Sequence, residues 1–142
     1  MKLQKIKTIE NRVWQLCKQI IRQQYPNTCF ACGKEGLEGK QLHTSHLFRK
    51  KFIPIQMKYD LRLLRNCCNV CNLRLYGNLE WYFTNLLRVE DKQYVLDIAD
   101  DILRYKKQPM NTKDTRAFLL SLEQEYATLI SVLPEDDIAR LT

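Results

Sequence analysis

Two cysteine pairs, Cys29-x-x-Cys32 and Cys68-x-x-Cys71, constrain this chain more than any other feature. A CxxC turn brings two thiolates close enough to share one ion, and two such turns complete the tetrahedral set that zinc takes in closed structural sites. The run TCFACGKEGLEGK places the first pair in a Gly-rich loop where backbone amides can turn toward sulfur. The spacing therefore predicts one structural zinc held by Cys29, Cys32, Cys68 and Cys71. Cys67 lies one residue too far from Cys71 to make such a turn, and Cys17 falls on the apolar face of a helix. Disulfides are the alternative use of six cysteines. The Lys-rich start MKLQKIK is followed by charge, not by an apolar export signal, so a reducing, cytoplasmic setting is expected, where metal is the better reading. No run of about 18 apolar residues predicts a membrane span.

The 142 residues fit one ordinary domain or a small zinc module with a helical extension. Apolar spacing from Thr8 to Gln24, with Thr8 as N-cap, predicts a helix that Pro26 stops. Rough alternation over Gln41 to Phe48 predicts a strand in a hairpin. Asn72 opens a short helix that Gly77 and Asn78 interrupt or end. Further helices are expected at about 79–88, 91–105 and 115–133, the last with an apolar face built from Phe118, Leu119, Leu122, Tyr126, Leu129, Ile130 and Leu133.

Charge is divided along the chain. Residues 1–76 carry 15 Lys and Arg against 4 Asp and Glu, a net +11, while residues 77–142 carry 8 against 12, a net −4, which together recover the total of +7. A basic half that also holds the cysteines points to a polyanion, nucleic acid above all. The 35 residues between Cys32 and Cys68 exceed a simple zinc ribbon, so something folded fills the gap. Both histidines fall there, in LHTSHLFRKK, followed at once by Arg49, Lys50 and Lys51. With Lys58, Arg62, Arg65 and Arg74 these form a candidate phosphate-binding surface, whose contacts would position DNA without reading its sequence.

Taken in order, VWQLCKQIIRQQ, CFACG, HTSHLFRK, MKYDLR, and CNVCNLRLYGN followed by Trp81 and Tyr82 resemble the HNH, or ββα-metal, nucleases. More narrowly, the chain is similar to the phage NinG (Rap) recombination endonucleases over residues 12 to 90, and loosely beyond. The resemblance implies an α+β fold: a zinc-braced ββα-metal core with an N-terminal helix in residues 1–90, and a helical extension in 91–142. It implies an endonuclease that hydrolyses phosphodiesters in branched recombination intermediates such as Holliday junctions and D-loops, recognised by shape. His46 would be the general base, suited by an imidazole that is largely neutral near pH 7. Asn72 would ligate a catalytic magnesium or manganese, with His43 a candidate for a further ligand. A homodimer would suit symmetric cleavage of paired strands. Two positions depart from the motif. Ser45 stands before the base, where Asp or His is common, and Leu63 falls where the middle Asn orients the loop, leaving Asn66 or Asp60 to take that part. Leu63 favours an alternative, a noncatalytic zinc-finger module that binds nucleic acid through a degenerate site. A third reading is an adaptor whose acidic helical half binds another protein.

Overall fold

A long first helix stops just short of Pro26, and a separate unit begins at Tyr25. The computed structural model describes residues 2–132, and its contacts divide the chain into two compact units. One joins the N-terminal stretch through Gln24 to the chain from Pro109 onward, and the other runs from Tyr25 to Gln108. The boundary expected at residue 90 is not where these units part.

In the first unit, α1 (Ile6–Gln24) packs along α4 (Thr112–Ser131). The side chains of Ile9, Val13, Cys17, Ile20 and Ile21 return to one face every three or four residues, and all five are buried. Cys17 is thus core, as its position predicts. Thr8 is not the cap: the helix starts earlier, and the Thr8 N–H already bonds the Lys5 carbonyl at 3.1 Å. In α4 the Asn111 side chain accepts the Asp114 N–H at 2.7 Å, which moves the start ahead of the expected Thr115. Leu119 and Tyr126 are the buried members of its apolar face, and the expected end at Leu133 lies outside the described residues. A forked Arg12–Glu123 pair, at 2.5 and 3.1 Å, crosses between the two helices.

In the second unit, β1 (Leu42–His46) and β2 (Leu64–Cys68) form a two-stranded antiparallel sheet, followed by α2 (Leu79–Val89) and α3 (Lys92–Lys106). The register sets Leu42 opposite Cys68, His43 opposite Cys67, and His46 opposite Leu64. β1 is shorter than the 41–48 expected. β2 carries no alternation because all five of its residues are buried, so the period that marks a half-exposed strand is missing. The strands pair as a hairpin would, but residues 47–63 separate them, and the connection is long.

The Tyr25–Gln108 core joins Leu37, Leu47, Met57, Leu63, Tyr82 and Leu86 to the cysteines, and Val95, Ile98 and Ile102 of α3 belong to it. That apolar stripe explains why α3 belongs with the cysteine-bearing unit and not with an extension. Tyr82 is fully buried, its ring set edge-on to Phe30 at 4.9 Å. Its hydroxyl donates to the Leu63 carbonyl at 3.0 Å and approaches the Ser45 carbonyl at 3.5 Å, which ties α2 to both ends of the long connection. The architecture is therefore mixed α+β. No described helix is long and apolar enough to cross a membrane.

Candidate metal centre and adjoining basic cavity

The sulfurs of Cys29, Cys32, Cys68 and Cys71 all lie within 4.8 Å of one another, a cluster that could hold a metal ion such as zinc. Each CxxC turn aims an amide at its first sulfur: Cys32 N–H at Cys29 Sγ, 3.4 Å, and Cys71 N–H at Cys68 Sγ, 3.3 Å. Such N–H···S contacts stabilise thiolates, the form that binds metal. Gly33, at φ +83°, makes the first turn possible by taking a left-handed backbone that a side chain would oppose. Asn78 adds an outer contact, donating its amide to Cys71 Sγ at 3.4 Å.

Cys67 is not in this set, yet its sulfur lies 3.6 Å from Cys29 Sγ. Through that contact, working against burial, the Cys29 thiol is pulled down to about 3, while Cys67 is pushed up and keeps its proton. Burial raises Cys32, and raises Cys71 to about 12. A cation entering the cluster must therefore displace protons from part of it, which makes binding pH-dependent. Nothing in the CxxC spacing reveals Cys67; its place is set by the sheet register.

Beside the cluster lies a cavity of about 400 Å³ whose lining includes Ser45, His46, Arg49, Lys50, Asn72 and Tyr76. His46 closes β1 and is 7% exposed. Its Nε2 lies 2.8 Å from the Lys58 carbonyl, which can only accept, so Nε2 carries the proton and the ring's lone pair is on Nδ1. Burial, with smaller contributions from the charges of Lys50 and Lys58, lowers the imidazole to about 4. His46 is therefore neutral across the physiological range.

Asn72 sits in a π-helical turn, Val70–Arg74, that begins inside the second knuckle, where a short helix was expected to open at Asn72 itself. Its Nδ2 lies 3.0 Å from His43 Nδ1, while His43 Nε2 lies 3.0 Å from the Lys40 carbonyl. Since Nε2 must donate to that carbonyl, Nδ1 accepts, Asn72 donates, and the amide is left to offer its Oδ1. Strand alternation sends His43 and Ser45 to one face of β1 and His46 to the other, so the histidines do not act as a pair. His43 orients Asn72 and does not line the cavity.

The seven basic residues do not form one surface. Arg49 and Lys50 line the cavity, and Lys51 and Arg74 are exposed elsewhere. Lys58 and Lys51 lie over the rings of Tyr59 and Phe52. Arg62 is held by Asp60 at 2.8 Å and Asp101 at 2.9 Å. Arg65 must be withdrawn as a phosphate contact. It is 1% exposed on a strand covered on both faces, stacked on Tyr25 at 4.6 Å, bonded to the Leu64 carbonyl and the Tyr94 hydroxyl, and 3.7 Å from Glu90. Of the residues offered in place of the middle Asn, Asp60 does organise the loop, accepting the Arg62 N–H at 2.9 Å in the turn before β2. Asn66 instead reaches the Tyr25 and Pro26 carbonyls. Leu63 contributes its carbonyl, which accepts from Leu47 N–H and Tyr82.

No family model, curated protein or solved structure matches this chain.

Proposed function

We propose that this chain is a zinc-braced, divalent-metal-dependent endonuclease of the HNH type, acting on branched DNA such as Holliday junctions and displacement loops. One observation carries the reading: a buried, neutral histidine, its tautomer set by the Lys58 carbonyl, lines one cavity with Asn72, Arg49 and Lys50 beside a four-cysteine cluster. A general base needs a lone pair facing its proton donor and a charge state suited to neutral pH. His46 Nδ1 would take the proton from the water that attacks phosphorus. Arg49 and Lys50 would hold the anionic phosphate, and Tyr82, through the Ser45 carbonyl, keeps the strand end that carries the base from shifting. Zinc in the cysteine cluster would fix the turn that bears Asn72.

The donor set that the cavity offers a catalytic ion is neutral, Ser45 Oγ and Asn72 Oδ1, with His43 holding the Asn72 amide from outside and no carboxylate in the lining. Such a set, beside two cations, fits a magnesium or manganese ion that arrives with the substrate phosphate. When bound, that ion would supply neutralisation of charge on the phosphate and the leaving oxygen.

The test is a synthetic four-way junction incubated with manganese or magnesium, wild type beside His46→Ala and Asn72→Ala. Divalent-dependent nicking by the wild type, lost in both variants at unchanged zinc content, is the expected result. Junction binding without cleavage by all three would instead establish the noncatalytic zinc-finger reading, which Leu63 at the motif's middle position favours.

A further inference from the structure

Tyr76 is the most exposed large hydrophobic side chain among the described residues, at 78%, and it lines the same cavity as His46, Arg49 and Lys50. It also has φ +51°, and Gly77 and Asn78 come next at +92° and +49°. Three successive left-handed residues are unfavourable for any chain that is not glycine throughout, and strain of this kind persists only where surrounding contacts over-determine it. Those contacts are present. The Gly77 N–H bonds the Cys71 carbonyl at 2.8 Å, the Asn78 N–H bonds the Leu75 carbonyl at 2.8 Å, and the Asn78 side chain bonds Cys71 Sγ. A Cβ on Gly77 would lie 3.6 Å from Ser45 Oγ and 3.3 Å from Leu79, so the loop is closed down on the strand that carries the base. Among the described residues, the Tyr76 ring has no hydrogen bond, ion pair or ring contact. The fold therefore holds a bare aromatic ring, at a conformational cost, on the rim of a basic cavity.

From this we infer that Tyr76 is a stacking platform for an unpaired base next to the phosphate bound in the cavity, and that it gives the site its preference for branched over fully paired DNA. The inference rests on the proposed role of that cavity as a phosphodiester site. A base inside a duplex has both π-faces covered by its neighbours; a nucleotide at a fork or crossover exposes one. Stacking on an aromatic side chain discriminates between these states without reading sequence. Asn78 is a positioning residue in this scheme, because its bond to Cys71 Sγ ties the ring's backbone to the cysteine cluster.

The experiment uses the zinc-loaded protein and a forked duplex with 2-aminopurine at its first unpaired nucleotide, without added magnesium or manganese so that the DNA stays intact. Tyr76→Gly removes the ring and suits the left-handed backbone, so the fold is not at risk; Tyr76→Phe retains the π-face. Wild type and Tyr76→Phe should quench the fluorophore and bind the fork about tenfold more tightly than a blunt duplex of equal length. Tyr76→Gly should lose the quench and bind both alike. A Gly variant that keeps quench and preference, a Phe variant that loses them, or a wild type that does not discriminate would overturn the inference. Cleavage of the same fork with manganese is read separately. Cleavage that ignores Tyr76 sinks the stacking role and leaves the nuclease standing, whereas Tyr76-dependent quenching with no cleavage does the reverse.

Discussion

His46→Gln tests whether the imidazole is buried and neutral. Its ordinary value near 6.5 falls to about 4 in the folded chain, chiefly through burial. At about 1.4 kcal/mol per pKa unit this linkage amounts to about 3 kcal/mol. The folded state binds fewer protons than the unfolded one between those values. The stabilisation is therefore complete above about pH 6.5 and is lost as the pH falls toward 4, with about 2 kcal/mol already gone at pH 5. Glutamine can still donate to the Lys58 carbonyl but does not titrate. Urea unfolding at pH 7.5 and pH 5.0, monitored by Trp81 fluorescence in a Trp14→Phe background, should show wild type losing about 2 kcal/mol more than His46→Gln. Acid also loosens metal from thiolates, but that loss is common to both proteins, and zinc content measured at each pH corrects for it. Parallel losses in the two proteins would refute the argument, since His46 would then titrate alike folded and unfolded.

Cys68→Ser removes one of four ligands and should leave the Tyr25–Gln108 unit without stoichiometric zinc and with collapsed amide dispersion; a well-dispersed, zinc-free spectrum would count against a structural role for the cluster. Asn78 separates backbone strain from the amide–sulfur bond. Asn78→Gly loses the bond but relieves the left-handed strain and should cost at most about 1 kcal/mol, while Asn78→Ala loses the bond and meets the full left-handed penalty and should cost about 1 to 2 kcal/mol more, both read from urea melts. Arg49→Ala and Lys50→Ala should each reduce the slope of log K against log salt for DNA binding by about 1. Arg65→Met should leave that slope unchanged and act on stability alone, so a salt slope that falls in Arg65→Met would reverse the assignment of its burial.

The metal cluster was legible because its signal is local. Two CxxC turns fix four ligands by spacing, and their N–H···S contacts arise from the turn itself. Helices α1, α2 and α3 were legible for a similar reason, since apolar recurrence at three or four residues is a property of neighbours in sequence. β2 was not, because a strand covered on both faces has no period. The site beyond the cysteines was legible only as a set of residue types. Its histidines and basic run could be named, and the resemblance singled out His46 over His43, but nothing in the local sequence showed that His43 holds the Asn72 amide or that a distant carbonyl fixes the His46 tautomer.

Sequence alone determined the four-thiol set, the helical periods and the concentration of positive charge in the half that bears the cysteines. Tertiary structure decided the rest. It assigned the proton to His46 Nε2 through the Lys58 carbonyl, buried Arg65 among aromatic rings, brought Cys67 against Cys29, and left Tyr76 bare beside the cavity. The physical reason is common to all four. Burial and the choice of hydrogen-bond partner depend on which distant segments meet, and a single carbonyl or ring supplied from elsewhere in the chain changes a side chain's charge state and access without altering anything in its own local sequence.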